Sequence, residues 1–179
     1  MREYPHLFRD DADQAKRAAR VAARVRDVSE LLAAAGPQQG AAVPGRVTYD
    51  APCHLLHAQR IAMPPLEVLR AIPQLDLVPL EGAEHCCGAA GIYNLVEPDT
   101  SNAVLAPKVR NIAATGAAAV ATGNPGCLMQ IGAGLRRAGI AARAVHPVDL
   151  LDASYARAAR AIPSARTVSD STSGRPVGS

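Results

Sequence analysis

Apolar side chains recur at Val21, Val25, Val28 and Leu32, spaced i, i+4, i+7 and i+11, with Arg17, Arg20, Arg24 and Glu30 between them. That period is helical, so residues 10 to 35 are predicted to form one helix with a single apolar face to bury. Gly36-Pro37 stops it, and Gln38 to Gly45 reads as a polar connection rich in turn residues. From residue 46 onward the pattern changes. Short apolar runs at Arg46–Asp50, Leu75–Leu80, Ala117–Thr122 and Ala141–His146 alternate with helical stretches at Pro64–Ile72, Ser101–Thr115, Cys127–Ala138 and Pro147–Arg160. Leu105, Val109 and Ile112 mark the buried side of the second of these helices, and Gly116 and Gly139 serve as stops. Strands alternating with helices predict an α/β fold with a mostly parallel sheet and flanking helices. Pro107 lies inside the Ser101–Thr115 pattern and removes a backbone donor, so a kink or a break is expected there.

The chain of 179 residues is enough for one domain. Its organisation reads as a helix and linker over residues 1–40, a domain over 46–160 and a tail over 163–179. That tail is too poor in large apolar side chains to offset its ordering entropy, so it is expected to be disordered. Positive and negative side chains are interspersed, and the net charge is only +3. No segment is a polybasic footprint for nucleic acid, and with 3% aromatic residues a base-stacking surface has little material. The N-terminus lacks the apolar stretch of a secretory signal, and no run of apolar residues is long enough to span a bilayer. A cytoplasmic location is therefore expected, peripheral to the inner membrane at most through partners.

Four cysteines in such a compartment point to ligands or catalysts more than to disulfides. Each follows a predicted strand: Cys53 after the first, Cys86 and Cys87 after the second, Cys127 after the third. In a parallel sheet these strand ends share one edge, which brings distant thiols together. Gly88 and Gly126 sit in the same turns, where a missing side chain lets backbone approach a bulky, anionic group. Four thiolates are the usual ligand set of a 4Fe-4S cluster. Zinc also takes four thiolates, but usually from paired C-x2-4-C knuckles, which this chain lacks. Small buried thiols filling a core remain the third reading.

His85 lies beside the cysteine pair, and His54 and His57 follow Cys53. They are candidates for hydrogen bonds to cluster sulfur or, for His85, for direct ligation; a loop-anchoring role is the alternative. His146 precedes a helix and reads as structural. Asp50 and Glu84 lie near the cysteines, where a carboxylate tunes thiol protonation or is simply solvated. Gly123-Asn124-Pro125-Gly126 fits neither phosphate-binding glycine motif, so no flavin or nucleotide site is expected in this chain.

The strings YDAPCHLLHAQR, EHCCGAAGIYNL, ATGNPGCLMQI, GLRRAG and HPVDLLD, with 32 residues between Cys53 and Cys86, carry a resemblance. They resemble the cysteine-rich CCG domain of heterodisulfide reductase-related proteins, lactate-utilisation proteins and, most of all, the iron-sulfur subunit of glycolate oxidase. The resemblance covers about residues 1–155. It implies an electron-transfer role, with Cys53, Cys86, Cys87 and Cys127 as cluster ligands and Gly88, Gly126, His85 and Asn124 around them. It also implies partners: flavin-containing glycolate oxidase subunits that oxidise glycolate to glyoxylate, and a ferredoxin-type iron-sulfur segment supplied from elsewhere. Two departures matter. The family pattern ends in C-x-x-C, and Asn124 stands where its first cysteine would be. The resembled subunit also carries ferredoxin motifs and two CCG repeats, so this chain looks like the second repeat, preceded in residues 1–40 by the end of another. A metal-free or zinc-bearing docking domain, or a thiol/disulfide site at Cys86-Cys87, are the alternatives.

Overall fold

A computed structural model describes residues 1–161. The disorder expected over 163–179 lies outside the described residues.

The N-terminal region is three helices, not one: α1 (Tyr4–Leu7), α2 (Ala12–Ala22) and α3 (Val28–Ala35). The expected continuous helix is interrupted between Ala22 and Val28 by capping chemistry. Arg26 Nη1 donates to the carbonyls of Ala23 and Val25, both at 2.9 Å, near the end of α2. Asp27 then opens α3 with a capping box: its carboxylate accepts from the Ser29 N–H, and Glu30 reaches back to the Asp27 N–H at 2.8 Å. Reciprocal satisfaction of free donors in this way starts a helix where it stands. Val21 and Val28, on the predicted apolar face, remain exposed, whereas Leu32 packs against the body of the domain.

The remaining elements follow the predicted alternation: β1 (Gly45–Asp50), a π turn (His54–Ala58), α4 (Met63–Arg70), β2 (Leu75–Val78), α5 (Tyr93–Val96), α6 (Pro98–Ala114), β3 (Ala119–Thr122), α7 (Pro125–Arg137), β4 (Arg143–Val145) and α8 (Pro147–Ala161). The four strands form one parallel sheet in the order β2-β1-β3-β4. From β1 the chain first steps to one side, to β2, and then returns to the other side, to β3. Such a reversal opens a crevice beyond the carboxyl ends of the two central strands, where α/β sheets bind their ligands.

Side chains alternate between the two faces of a strand. Val47, Tyr49, Ala119 and Ala121 face one way and pack with Val68 and Leu69 of α4, Ile72 just beyond it and Leu151 of α8. Val120 faces the other way, among Leu105, Val109 and Ile112 of α6 and Ile131 and Leu135 of α7. Helix α6 is not broken at Pro107. Pro107 and Ala103 both lie on the exposed side of α6, so water satisfies the carbonyl that loses its donor. Gly116 and Gly139 adopt positive φ just past α6 and α7, as expected of helix stops.

Candidate metal centre

The carboxyl ends of β2, β1 and β3 bring the cysteine-bearing segments together. Cys53, Cys86, Cys87 and Cys127 all line one cavity of ≈ 750 Å³, with His54, His57, Ala89, Asn124, Gly126 and Met129 among its other walls. Cys87 and Cys127 are buried and their sulfur atoms lie 3.1 Å apart; Cys53 and Cys86 are partly exposed. All four are free thiols.

Local structure aims them. The turn after Cys87 runs through positive φ at Gly88 (85°), Ala90 (36°) and Gly91 (70°). Gly88 must be glycine on a second count, because a Cβ there would meet the Ser101 carbonyl oxygen at 2.3 Å. The close approach that Gly88 permits is thus to α6, and it is Gly126 that borders the cavity. Ser101 Oγ donates to the Gly88 carbonyl at 2.7 Å, Gln130 Nε2 donates to Ser101 Oγ at 2.9 Å, and Asn94 Nδ2 donates to Gln130 Oε1 at 3.2 Å. Asn124 caps α7, its Oδ1 accepting from the N–H groups of Gly126 and Cys127 at 2.9 and 3.2 Å. That cap places Cys127 in the first turn of the helix, where the dipole favours negative charge.

The thiols perturb one another. Cys87 and Cys127 share a hydrogen bond, which lowers the Cys87 thiol to about 7, against burial. The same hydrogen bond, with burial added, pushes Cys127 up. Burial first, and then the charge of Cys86, pushes Cys53 up. Backbone donors meet the sulfurs as well: the Gly88 N–H lies 3.3 Å from Cys86 Sγ, while those of Ala89 and His54 favour the thiolates of Cys87 and Cys53.

Beneath this rim lies a buried ion pair. Lys108, on α6, is 2% exposed and Asp50, at the end of β1, is 1% exposed. The Lys108 ammonium donates to Asp50 Oδ1 and to the carbonyls of Gly82 and Ala83 at 3.1 and 3.0 Å. Thr122 Oγ1, at the end of β3, donates to Asp50 Oδ2 at 2.7 Å. Burial raises the Asp50 carboxyl and the Lys108 charge pulls it back. Three acceptors use all three N–H bonds of an ammonium, so the pair stands as an ion pair with every donor occupied.

The other histidines and acids fall on either side of the site. His54 and His57 border the cavity. The His85 side chain is exposed, with Nε2 3.5 Å from Glu84. His146 Nδ1 accepts from the Val148 N–H at the start of α8, a structural role. Sequence reasoning missed Lys108, Ser101 and Gln130. The first two were signalled by polar residues on the buried stripe of α6 that Leu105, Val109 and Ile112 define.

Among the described residues, no three His, Cys, Asp or Glu side chains are gathered closely enough to hold a metal ion as they stand. A tetrahedral zinc site needs four donors within about 2.3 Å of one point. Here four soft donors line a wider cavity, with backbone N–H groups turned to the sulfurs. A polynuclear cluster, each of whose metals takes its own thiolate, fits that donor set.

The profile of the CCG cysteine-rich domain matches residues 47–132, a span that holds all four cysteines. The chain is 38% identical over 154 residues to the "Probable glycolate oxidase iron-sulfur subunit" of Bacillus subtilis, covering 83% of this chain and 35% of that one. It is 30% identical to lactate utilization protein A of Oceanobacillus iheyensis, covering 85% of this chain and 63% of that one. Against lactate utilization protein A of Geobacillus thermodenitrificans the figures are 32%, 85% and 64%. The chain therefore spans about a third of the first relative's length and just under two thirds of the others'. Residues 47–132, with four thiols on one cavity, are thus similar to the CCG cysteine-rich domain.

Proposed function

We propose that this chain is an iron-sulfur electron-transfer module in which Cys53, Cys86, Cys87 and Cys127 hold a 4Fe-4S cluster. The observation that carries this reading is the convergence of four free thiols from three strand ends on one cavity. When bound, such a cluster takes up and releases one electron at a potential set by hydrogen bonds to its sulfurs and by burial. The protein supplies both: the Gly88 N–H at Cys86, the Ala89 and His54 backbones at Cys87 and Cys53, and a cavity walled by Ala89, Ala90 and Met129. Loading requires the proton shared by Cys87 and Cys127 to leave, so uptake is linked to proton release. Asn124, which caps α7, takes no ligand role in this reading, and His54 and His57 line the mouth without replacing a thiolate.

The names of the relatives bring glycolate and lactate, both small 2-hydroxy acids. We place this chain as a relay in a complex that oxidises such an acid, with glycolate the first candidate. A partner flavin subunit performs the oxidation and a ferredoxin-type segment completes the relay. Residues 1–40, with Val21 and Val28 exposed, then form the junction to a preceding repeat. No helix among the described residues is long and apolar enough to cross a membrane.

A second reading has one observation in its favour. The 3.1 Å contact joins Cys87 to Cys127, so a thiol/disulfide site, if that is the function, uses this pair and not Cys86-Cys87. The test is anaerobic reconstitution with ferrous iron and sulfide. A cluster gives visible absorption that bleaches on reduction and is lost on changing any one of the four cysteines to serine. A folded chain with no such absorption, whose Cys87 and Cys127 instead cycle with a disulfide substrate, contradicts the first reading and supports the second.

A further inference from the structure

We propose that Lys108 is the positioning residue of the cysteine site: its one ammonium ties together the three strand-end segments that present the thiols. This deepens the proposed function and rests on its reading of the four thiols as one site. Two of the segments touch Lys108 directly, and the third is joined through Asp50. Asp50 ends β1, three residues before Cys53. Gly82 and Ala83 belong to the turn that leads from β2 to Cys86 and Cys87. Thr122 ends β3, five residues before Cys127, and is held through Asp50.

The location is informative because buried charge is expensive. Removing an ammonium and a carboxylate from water costs several kcal/mol each, and a well-packed apolar pair would often serve stability equally well. What an apolar pair cannot do is bind two backbone carbonyls of a turn and a strand-end carboxylate from one atom. Other links join these segments pairwise: the Ala51 N–H donates to the Ala83 carbonyl at 3.0 Å, Thr48 Oγ1 to the Val78 carbonyl at 3.0 Å and Thr122 Oγ1 to Asp50. Lys108 adds the tie that fastens the turn and Asp50 to α6 from one atom. The Ser101–Gln130 chain fixes Gly88 to α6 and α7 but touches neither Asp50 nor the Gly82–Ala83 turn. Lys108 therefore holds the turn that carries Cys86 and Cys87 against the strand end that leads to Cys53, and through Asp50 and Thr122 against the one that leads to Cys127.

The full chain, reduced and metal-free, is equilibrated anaerobically with reduced and oxidised glutathione. Two thiols and one glutathione disulfide yield one protein disulfide and two glutathione thiols. Peptide mapping identifies the Cys87–Cys127 disulfide, and its yield gives the effective concentration of that pair. K108M leaves Asp50 buried without its cation, so it reads position and stability together. D50N/K108M removes both charges and separates the two. The effective concentration is expected to fall about tenfold or more in the folded double variant, as loosened geometry does to an intramolecular reaction. Circular dichroism should keep the wild-type sheet signal. An unchanged value in the folded double variant overturns the proposal. If that variant does not fold, K108Q, which leaves Asp50 a neutral donor, takes its place with the same two outcomes. Because no iron enters the measurement, its result is independent of whether the wild-type chain takes up a cluster.

Discussion

On one face of the sheet, Val47, Tyr49, Ala119 and Ala121 meet Val68, Leu69, Ile72 and Leu151 in a mainly apolar layer. On the other, Thr48, Asp50 and Thr122 share the interior with Lys108, Ser101 and Gln130, and the same apolar cluster takes in Cys87 and Cys127. The first face has buried hydroxyls at Ser29 and Ser154, but only the second holds a buried charge pair, and its polar groups gather toward the carboxyl ends of the strands. Among the described residues, every buried side-chain nitrogen and oxygen has a hydrogen-bond partner. The first face supplies stability by removing carbon from water. The second gives up part of that gain to hold defined atoms in defined places, the usual mark of a site.

The comparison breaks most visibly at Lys108. K108M strands a buried carboxylate, and urea unfolding should show a loss of about 3–5 kcal/mol, most of it recovered in D50N/K108M. A double variant as unstable as the single one would mean that the carbonyl contacts, and not the charge pair, carry the cost. On the opposite face, L69A should cost about 2–5 kcal/mol through the cavity it leaves. The thiol reactivities of its folded fraction should match the wild type; altered reactivities would show that the two faces are not separable.

G88A probes the seam between core and site. Its positive φ alone costs about 1–3 kcal/mol for a residue with a side chain, and the Cβ would also press on the Ser101 carbonyl. Faster alkylation of Cys86 and Cys87 is the expected companion, since the turn has to move. The smallest effect is a shift in pH dependence. An ordinary thiol forms its thiolate near 9, but the hydrogen bond with Cys127 lowers Cys87 to about 7. In the metal-free chain, Cys87 alkylation should therefore rise with pH through a midpoint near 7 and be flat by the pH at which Cys53 begins to react. C127A removes the partner sulfur and should move that midpoint upward; a midpoint left near 7 would assign the effect to the backbone or to Lys108.

Much of this layout is legible in the sequence, and the exceptions have physical causes. The short apolar and helical runs after residue 46 name every strand of the sheet, the central β1 and β3 buried on both faces over most of their length and the edge strands β2 and β4 partly covered. The meeting of the thiols follows from where they stand relative to the strands, without any knowledge of distances. The interruption before α3 was missed because the valine spacing runs through it, although Asp27 and Glu30 spell a capping box. Pro107 does not break α6, since its penalty is small on the exposed side of a helix. Lys108 was the hardest to see. A lysine on a helix ordinarily reads as solvated, and only its place in the buried stripe, between Leu105 and Val109, betrays it. The partners that make its burial tolerable, Asp50 and the Gly82 and Ala83 carbonyls, come from far along the chain and no local pattern names them.

The central claim is that four thiols from three strand ends jointly hold one inorganic cluster, and native mass spectrometry of the anaerobically reconstituted chain reads it directly. The account predicts a folded species heavier than the bare chain by roughly four irons and four sulfides, absent when Cys53, Cys86, Cys87 and Cys127 are all serine. A folded wild-type chain found only at its bare mass, at the mass of one zinc adduct, or lighter by the two hydrogens of a disulfide would contradict it.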